Sequence, residues 1–229
     1  DKVIIYVLST ALLTGGLTLT DVALAKNFFS STNSNRASGK ISSSESMEAS
    51  GVTIVDGDDE TLSDTYTSSN SDESAVLVQN GGSATIKNAT INKSSGDSSN
   101  TENSEFYGIN AGLLVKSDST AKISNTTIST NAKGSNAVFA TGDNAKIEIS
   151  NSTITTTGES SSRGLDATYG GYIKADNVTI KTSGGSCATL ATDRGEGTVI
   201  ANNSNLETSG SGSPVIYSTG DISIDKTIG

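Results

Sequence analysis

Arg163, Asp166, Asp193 and Arg194 are the side chains of this sequence whose types and spacing come nearest to a catalytic set: two carboxylates interleaved with two guanidinium groups. A pair of carboxylates is what glycoside hydrolysis requires, one to protonate the leaving oxygen and one to act as base or nucleophile. With no histidine in 229 residues, the usual general base near neutral pH is missing, and Ser-His and Cys-His nucleophile pairs are excluded. No recognisable catalytic motif is present, and Asp193 has a plainer reading as a turn residue, because Asp118, Asp143 and Asp221 recur near the same place. A second acidic group, Asp56, Asp58, Asp59 and Glu60, carries oxygen ligands of the kind calcium takes. Its spacing matches no complete calcium loop, so a solvated acidic loop is the simpler expectation, and no cofactor other than calcium is implied. Tyr66, Phe106 and Tyr107 are the aromatic residues placed to stack on a sugar ring.

Composition narrows the partners. A formal charge of -10 argues against nucleic acid, whose binding draws on clustered Lys and Arg. Hydrophobic residues make up 33% of the chain, with 24 Gly, one Pro and no Trp, which excludes a helical bundle and by itself resembles disorder. The lone Cys187 has no partner for an internal disulfide and reads as a small buried residue.

The chain is rescued from disorder by repetition. Asn88-Ala89-Thr90-Ile91, Asn125-Thr126-Thr127-Ile128, Asn151-Ser152-Thr153-Ile154, Asn177-Val178-Thr179-Ile180 and Asn203-Ser204-Asn205-Leu206 are copies of one phrase, with asparagines 37, 26, 26 and 26 residues apart. Asn88, Asn125, Asn151, Asn177 and Asn203 are expected to form a structural ladder: the short amide tolerates a left-handed turn, and stacked amides bond from coil to coil. The first four also fit a glycosylation sequon, which the repeat itself explains. Upstream of each asparagine a strand alternates with period two, Ile147 and Ile149 facing one way and Glu148 and Ser150 the other. Lys122, Glu148 and Lys174 then share one outward column and read as register-setting charges. After each asparagine, Ile91, Ile128, Ile154, Ile180 and Leu206 point inward, followed by a hydroxyl ladder of Thr130, Thr156, Thr182 and Thr208 that Lys93 interrupts.

A third, wholly apolar strand precedes these, for example Ala75-Val76-Leu77-Val78 and Ala137-Val138-Phe139-Ala140. Asp166 stands there in a column with Leu77, Leu114, Phe139, Leu190 and Ile216. If the column faces inward, Asp166 is a buried carboxylate needing a partner such as Arg163; if outward, the column is a sticky aliphatic stripe. Both faces of the strand are apolar, so both alternatives stand. Gly51-Val52-Thr53-Ile54 matches the asparagine phrase with glycine in the asparagine place. That alignment makes residues 56–74 and 94–110 two insertions at the same point of the repeat, projecting side by side.

Three short strands in each coil of about 26 residues leave no room for crossover helices, so coils stack strand on strand in parallel. The repeat resembles the right-handed parallel β-helix of the pectin-lyase-like superfold, and within it the Ser/Thr/Asn-rich solenoids of bacterial adhesin-like surface proteins. The resemblance implies an all-β solenoid over residues 40–229 and a non-catalytic protein, secreted or at the cell surface, that binds polysaccharide or a surface protein. It also admits a polysaccharide lyase or hydrolase on the same scaffold, since pectate-lyase-like enzymes use a basic side chain with bound calcium. The outward threonines, most regular at Thr153 and Thr155, resemble the surface of ice-binding solenoids, although threonine is simply a good strand residue.

Residues 1–25 read as an export signal: Lys2, a diluted apolar run from Val3 to Leu19, and Ala23-Leu24-Ala25 before the cleavage point. Residues 26–39 form a linker or cap. Membrane contact is expected only through that signal or an anchor outside this chain. The sequence starts at Asp1 and stops at Gly229 in mid-repeat, so a fragment of a longer precursor is expected.

Overall fold

Strands this short gain stability only where each finds a partner on both sides, and stacking one coil on the next provides both. The computed structural model describes residues 47–229, so the export signal and linker assigned to 1–25 and 26–39 lie outside the described residues. Every strand pairs in parallel with its counterpart in the adjoining coil, making a β-solenoid of about 7 turns at about 26 residues per turn. Sheet A has seven strands, in the spatial order β1 (Ser50–Asp56), β4 (Glu73–Gln79), β7 (Leu113–Val115), β10 (Val138–Thr141), β12 (Leu165–Thr168), β14 (Leu190–Thr192) and β17 (Ile216–Ser218).

Sheet B has 11 strands on its main path or branching from it and bends at the asparagine turn. Before the bend lie β2 (Asp59–Leu62), β5 (Ser83–Lys87), β8 (Thr120–Ser124), β15 (Thr198–Asn202) and β18 (Asp221–Asp225); after it lie β3 (Thr65–Ser68), β6 (Thr90–Lys93), β9 (Thr127–Thr130) and β16 (Asn205–Thr208). In the middle coils the two limbs fuse into β11 (Lys146–Thr156) and β13 (Tyr172–Thr182), which run continuously through the corner.

Alternation fills the lumen as expected. Val76, Val78, Leu113, Val115, Val138 and Leu165 from sheet A meet Ile86, Ile123, Ile147, Ile149, Ile173 and Ile154 from sheet B, all buried in one continuous core. The hydroxyl ladder closes three turns from within, Thr130, Thr156 and Thr182 donating to the carbonyls of Ser135, Ser162 and Cys187 at 2.8, 2.6 and 2.9 Å. The expected fourth rung, Thr208, instead has its hydroxyl buried and unpartnered. Lys93 occupies the same rung, fully buried, and its ammonium donates to Ser68 Oγ and to the carbonyls of Asn70 and Glu73. Burial pushes its pKa down to about 8.

Asn88, Asn125, Asn151, Asn177 and Asn203 all adopt the left-handed conformation, with φ between 48° and 53°. The stacked amide bond is formed from Asn177 Nδ2 to Asn151 Oδ1 at 2.8 Å, whereas Asn203 Nδ2 turns to Asp176 Oδ1 at 2.7 Å. The common cause of the asparagines is therefore the backbone rather than an unbroken amide ladder. A non-glycine side chain without the local polar contact pays about 1–2 kcal/mol in this conformation. Asn151→Ala is accordingly expected to lose about that much in urea denaturation and Asn151→Gly much less; equal losses would place the effect in the amide.

The first coil departs from the sequence expectation. Gly51 pairs with Ser74 and Ile54 with Leu77, so Gly51-Val52-Thr53-Ile54 belongs to sheet A and not to the asparagine phrase. The true counterpart of that phrase is Asp64-Thr65-Tyr66, with Thr65 opposite Thr90 and Tyr66 opposite Ile91. Residues 56–74 are therefore no insertion but an ordinary coil carrying β2 and β3. A four-residue match, Gly-Val-Thr-Ile against Asn-Val-Thr-Ile, misled because β-branched residues suit every strand of the solenoid.

Candidate functional site

One excursion remains, residues 94–110, and it builds the site. Its helix α1 (Thr101–Tyr107) is capped at the start by Asn100, whose side chain accepts from the backbone of Glu102 and Asn103, and ends at the left-handed Gly108. The segment lies as a strap over the outer face of sheet A. Asn136 Nδ2 donates to the carbonyl of Ser104 at 2.9 Å, Thr168 Oγ1 donates to the carbonyl of Phe106 at 2.8 Å, and Ser161 Oγ donates to Glu105. The Tyr107 ring stacks on Tyr169 at 5.5 Å, and the Arg194 guanidinium lies 4.0 Å from the centre of the Phe106 ring.

Under the strap, Leu77, Leu114, Phe139 and Ala111 form a second core separate from the lumen. This resolves the Asp166 column: it faces away from the lumen yet is buried, because the strap covers it. Its membership also changes in the last coils. Asp166 stands beside Phe139 on one side and Ala191 on the other, and Ala191 beside Tyr217, so Leu190 and Ile216 belong to the inward column instead. The coil from Leu165 to Leu190 spans 25 residues, and one residue of slip exchanges the faces of a strand.

Three of the four expected side chains meet, whereas the Arg194 guanidinium turns away to the Phe106 ring. Arg163 donates from Nη1 to Asp166 Oδ2 at 2.7 Å and from Nη2 to Asp193 Oδ2 at 3.1 Å, with the Tyr217 ring 5.1 Å from the guanidinium carbon. Asp166 is wholly buried, and its Oδ1 has no hydrogen-bond partner. That burial raises its pKa from 3.8 to about 6 against the pull of Arg163. Burial also opposes the charge on Arg163, but two carboxylates outweigh it and hold the guanidinium above its ordinary value. The opposite fates of the partners follow from numbers: one cation serves two anions, and only Asp166 is completely dry.

A carboxyl whose folded pKa exceeds its unfolded one stabilises the fold below about pH 4 and loses that contribution as pH rises through about 6. Stability is therefore expected to fall between about pH 4 and 7 by up to about 3 kcal/mol from this group. Thermal denaturation across that range, with Asp166→Asn as the variant in which the slope flattens, checks it; parallel pH profiles would refute it. Chemically, the arrangement is an ion-paired staple. Both carboxylates are engaged by Arg163, and Asp166 is closed to a substrate.

Other expected site residues are dispersed. Tyr66 sits on β3 against the lumen core and does not join Phe106 and Tyr107, which face Arg194 and Tyr169 as described. Asp56 accepts from Asn80 and Gln79 at the end of β1, while Asp58, Asp59 and Glu60 are exposed. Among the described residues no group of three or more His, Cys, Asp or Glu is placed to hold a metal, so the calcium reading of Asp56, Asp58, Asp59 and Glu60 gains no support. Cys187 is buried, its thiol donating to the carbonyls of Gly158 and Gly185, with burial raising its pKa. Thr127, Thr153 and Thr179 stack in register, but the neighbouring column ends in an ion pair, Lys181 to Glu207 at 2.7 Å.

An open concavity lies elsewhere among the described residues, a groove of about 450 Å³ on sheet B before the bend. Thr85, Lys122, Glu148 and Lys174 line it in one column, Lys87, Ser124, Ser150 and Asp176 in the next. The expected vertical pairing of Glu148 with Lys122 and Lys174 holds in register but not in contact: Glu148 pairs with Lys146 on its own strand at 2.8 Å. Alternation along β11 placed these groups outward; only the rotamers reveal which charges are neutralised.

Fold and groove together define a parallel β-solenoid with one strapped sheet and one open, polar one. No protein-family model matches the chain, and neither a curated protein nor a solved structure matches it. Among the described residues no helix is long and apolar enough to cross a membrane.

Proposed function

We propose that this protein is a non-catalytic, exported, adhesin-like solenoid, secreted or held at the cell surface, that binds a polysaccharide or a surface protein. The observation that carries this reading is the contrast between its two polar clusters. Arg163 occupies the space between Asp166 and Asp193 under the strap, where a glycosidase would need an open pair of carboxylates. The groove on sheet B is open and lined by hydroxyl and charged groups on rigid strands, which suits binding without bond cleavage. The composition adds to it: abundant Ser, Thr and Asn on a stacked scaffold give a stable, soluble surface, and the signal assigned to residues 1–25 gives the route of export.

Purified protein incubated with acidic and neutral polysaccharides, with and without calcium, tests the proposal. Retention on a glycan or on a cell-surface extract without new chain ends is the expected result. Appearance of unsaturated or reducing ends would make it a lyase or hydrolase instead.

A further inference from the structure

The groove on sheet B reverses the sign of the molecule. The chain carries -10 overall, yet Lys87, Lys122 and Lys174 meet at this one concavity. Its two carboxylates are already engaged: Glu148 by Lys146 at 2.8 Å, and Asp176 by the Asn203 amide at 2.7 Å. Lys146 is held further by the Tyr172 ring at 5.9 Å. Among the described residues no ion pair reaches the ammonium groups of Lys87, Lys122 or Lys174. The lining sets three ammonium groups against two carboxylates, each of which already has a closer partner, and this positive balance is complementary to an anionic ligand.

The spacing says more. Lys122, Glu148 and Lys174 lie on successive coils of the same column. With strands about 4.8 Å apart, Lys122 and Lys174 repeat at roughly 10 Å along the solenoid axis, with a carboxylate on the intervening rung. A sugar unit in an extended chain is similar in length to the spacing between strands, so a polysaccharide lying along the solenoid axis would pass about one coil per sugar. A charge on every second sugar would therefore meet Lys122 and then Lys174, and the uncharged sugar between them would pass Glu148. A charge on every sugar would set an anion against Glu148. The flanking hydroxyls of Thr85, Ser124 and Ser150 suit the uncharged sugar's own hydroxyls.

We propose that this groove binds a linear anionic glycan bearing one charge on alternate sugars. This rests on the reading of the protein as a binding solenoid and names the ligand class of that site. It takes lysine rather than arginine because a point charge on a flexible stem follows a hydrated carboxylate or sulfate without demanding bidentate geometry.

Fluorescence anisotropy at low ionic strength with three labelled oligosaccharides tests it: alternating glucuronate and N-acetylglucosamine, oligogalacturonate, and uncharged β-linked glucose. The alternating oligosaccharide is expected to bind tightest and to weaken as salt is added. Lys122→Gln with Lys174→Gln should weaken it about tenfold, the product of two exposed charge contacts, without moving the urea midpoint. Glu148→Gln should narrow the gap between oligogalacturonate and the alternating chain. Lys181→Gln, on the other limb of sheet B, should change nothing. Oligogalacturonate binding as tightly as the alternating chain, affinity unmoved in the lysine double variant, or tighter binding of polyglutamate would each overturn the proposal. Lysine-independent binding of the uncharged glycan would overturn it too while leaving the binding solenoid intact; product release would instead remove that broader reading.

Discussion

Arg163→Ala is expected to cost about 3–5 kcal/mol at neutral pH, the largest single loss from any charged residue described here. The substitution removes the sole cation that serves Asp166, leaving a carboxylate with no exposed surface and one oxygen already unpartnered. Asp193 loses its contact at the same time, and the Tyr217 ring loses the guanidinium it covers. Urea denaturation at pH 7 measures the loss. Because a protonated Asp166 tolerates burial far better than an ionised one, the cost should shrink as pH falls from 7 towards about 6 and level off below it. Replacing both partners, Arg163→Met with Asp166→Leu, should recover most of the stability, since well-packed apolar groups often match a buried ion pair. A loss below about 1 kcal/mol in the single variant would mean that water reaches Asp166 and that the staple is not buried.

Phe139→Ala is the second large effect, expected at about 3–5 kcal/mol for a fully buried aromatic ring. Phe139 is the biggest side chain of the small core under the strap, packed with Leu77, Leu114 and Ala111. The strap rests directly on it: a Cβ built on Gly108 would fall 2.4 Å from Phe139 Cδ1, and Gly108 has φ 68°. Only glycine combines that close approach with that backbone conformation at the helix end. Removal of the ring should therefore loosen residues 94–110 before it loosens the lumen. Limited proteolysis is expected to cut within the strap of the variant while amides of β11 and β13 keep their protection from hydrogen exchange. Simultaneous loss of protection in both regions would show a single cooperative unit instead.

These two residues mark where the sequence could be read and where it could not. Phe139 and Asp166 lie on neighbouring strands of sheet A, whose residues are mostly apolar on both faces, so period-two alternation, which sorted Ile147 from Glu148 without difficulty, had little to sort there. The answer depended on α1, whose Phe106 meets Thr168 from 62 residues away. Contact at such separation is set by how a loop lies on a finished surface, and no local pattern encodes it. The slip that moved Leu190 from the Asp166 column to the lumen has the same origin: a coil shorter by one residue leaves composition unchanged and reverses every facing.

What the sequence by itself determined was the solenoid: the recurring asparagine, the isoleucine two strands' worth of alternation either side of it, and the hydroxyl rung were each local necessities of a left-handed corner and a closed lumen. The tertiary structure alone decided that residues 56–74 are a coil, that 94–110 are a strap, and that Glu148 forms its ion pair with Lys146 rather than with Lys122 or Lys174. The reason is physical. Backbone conformation and facing follow from each residue's immediate neighbours, whereas burial under a strap and the pairing of charges follow from which of several near-equal partners stands within a few ångströms once the chain has closed.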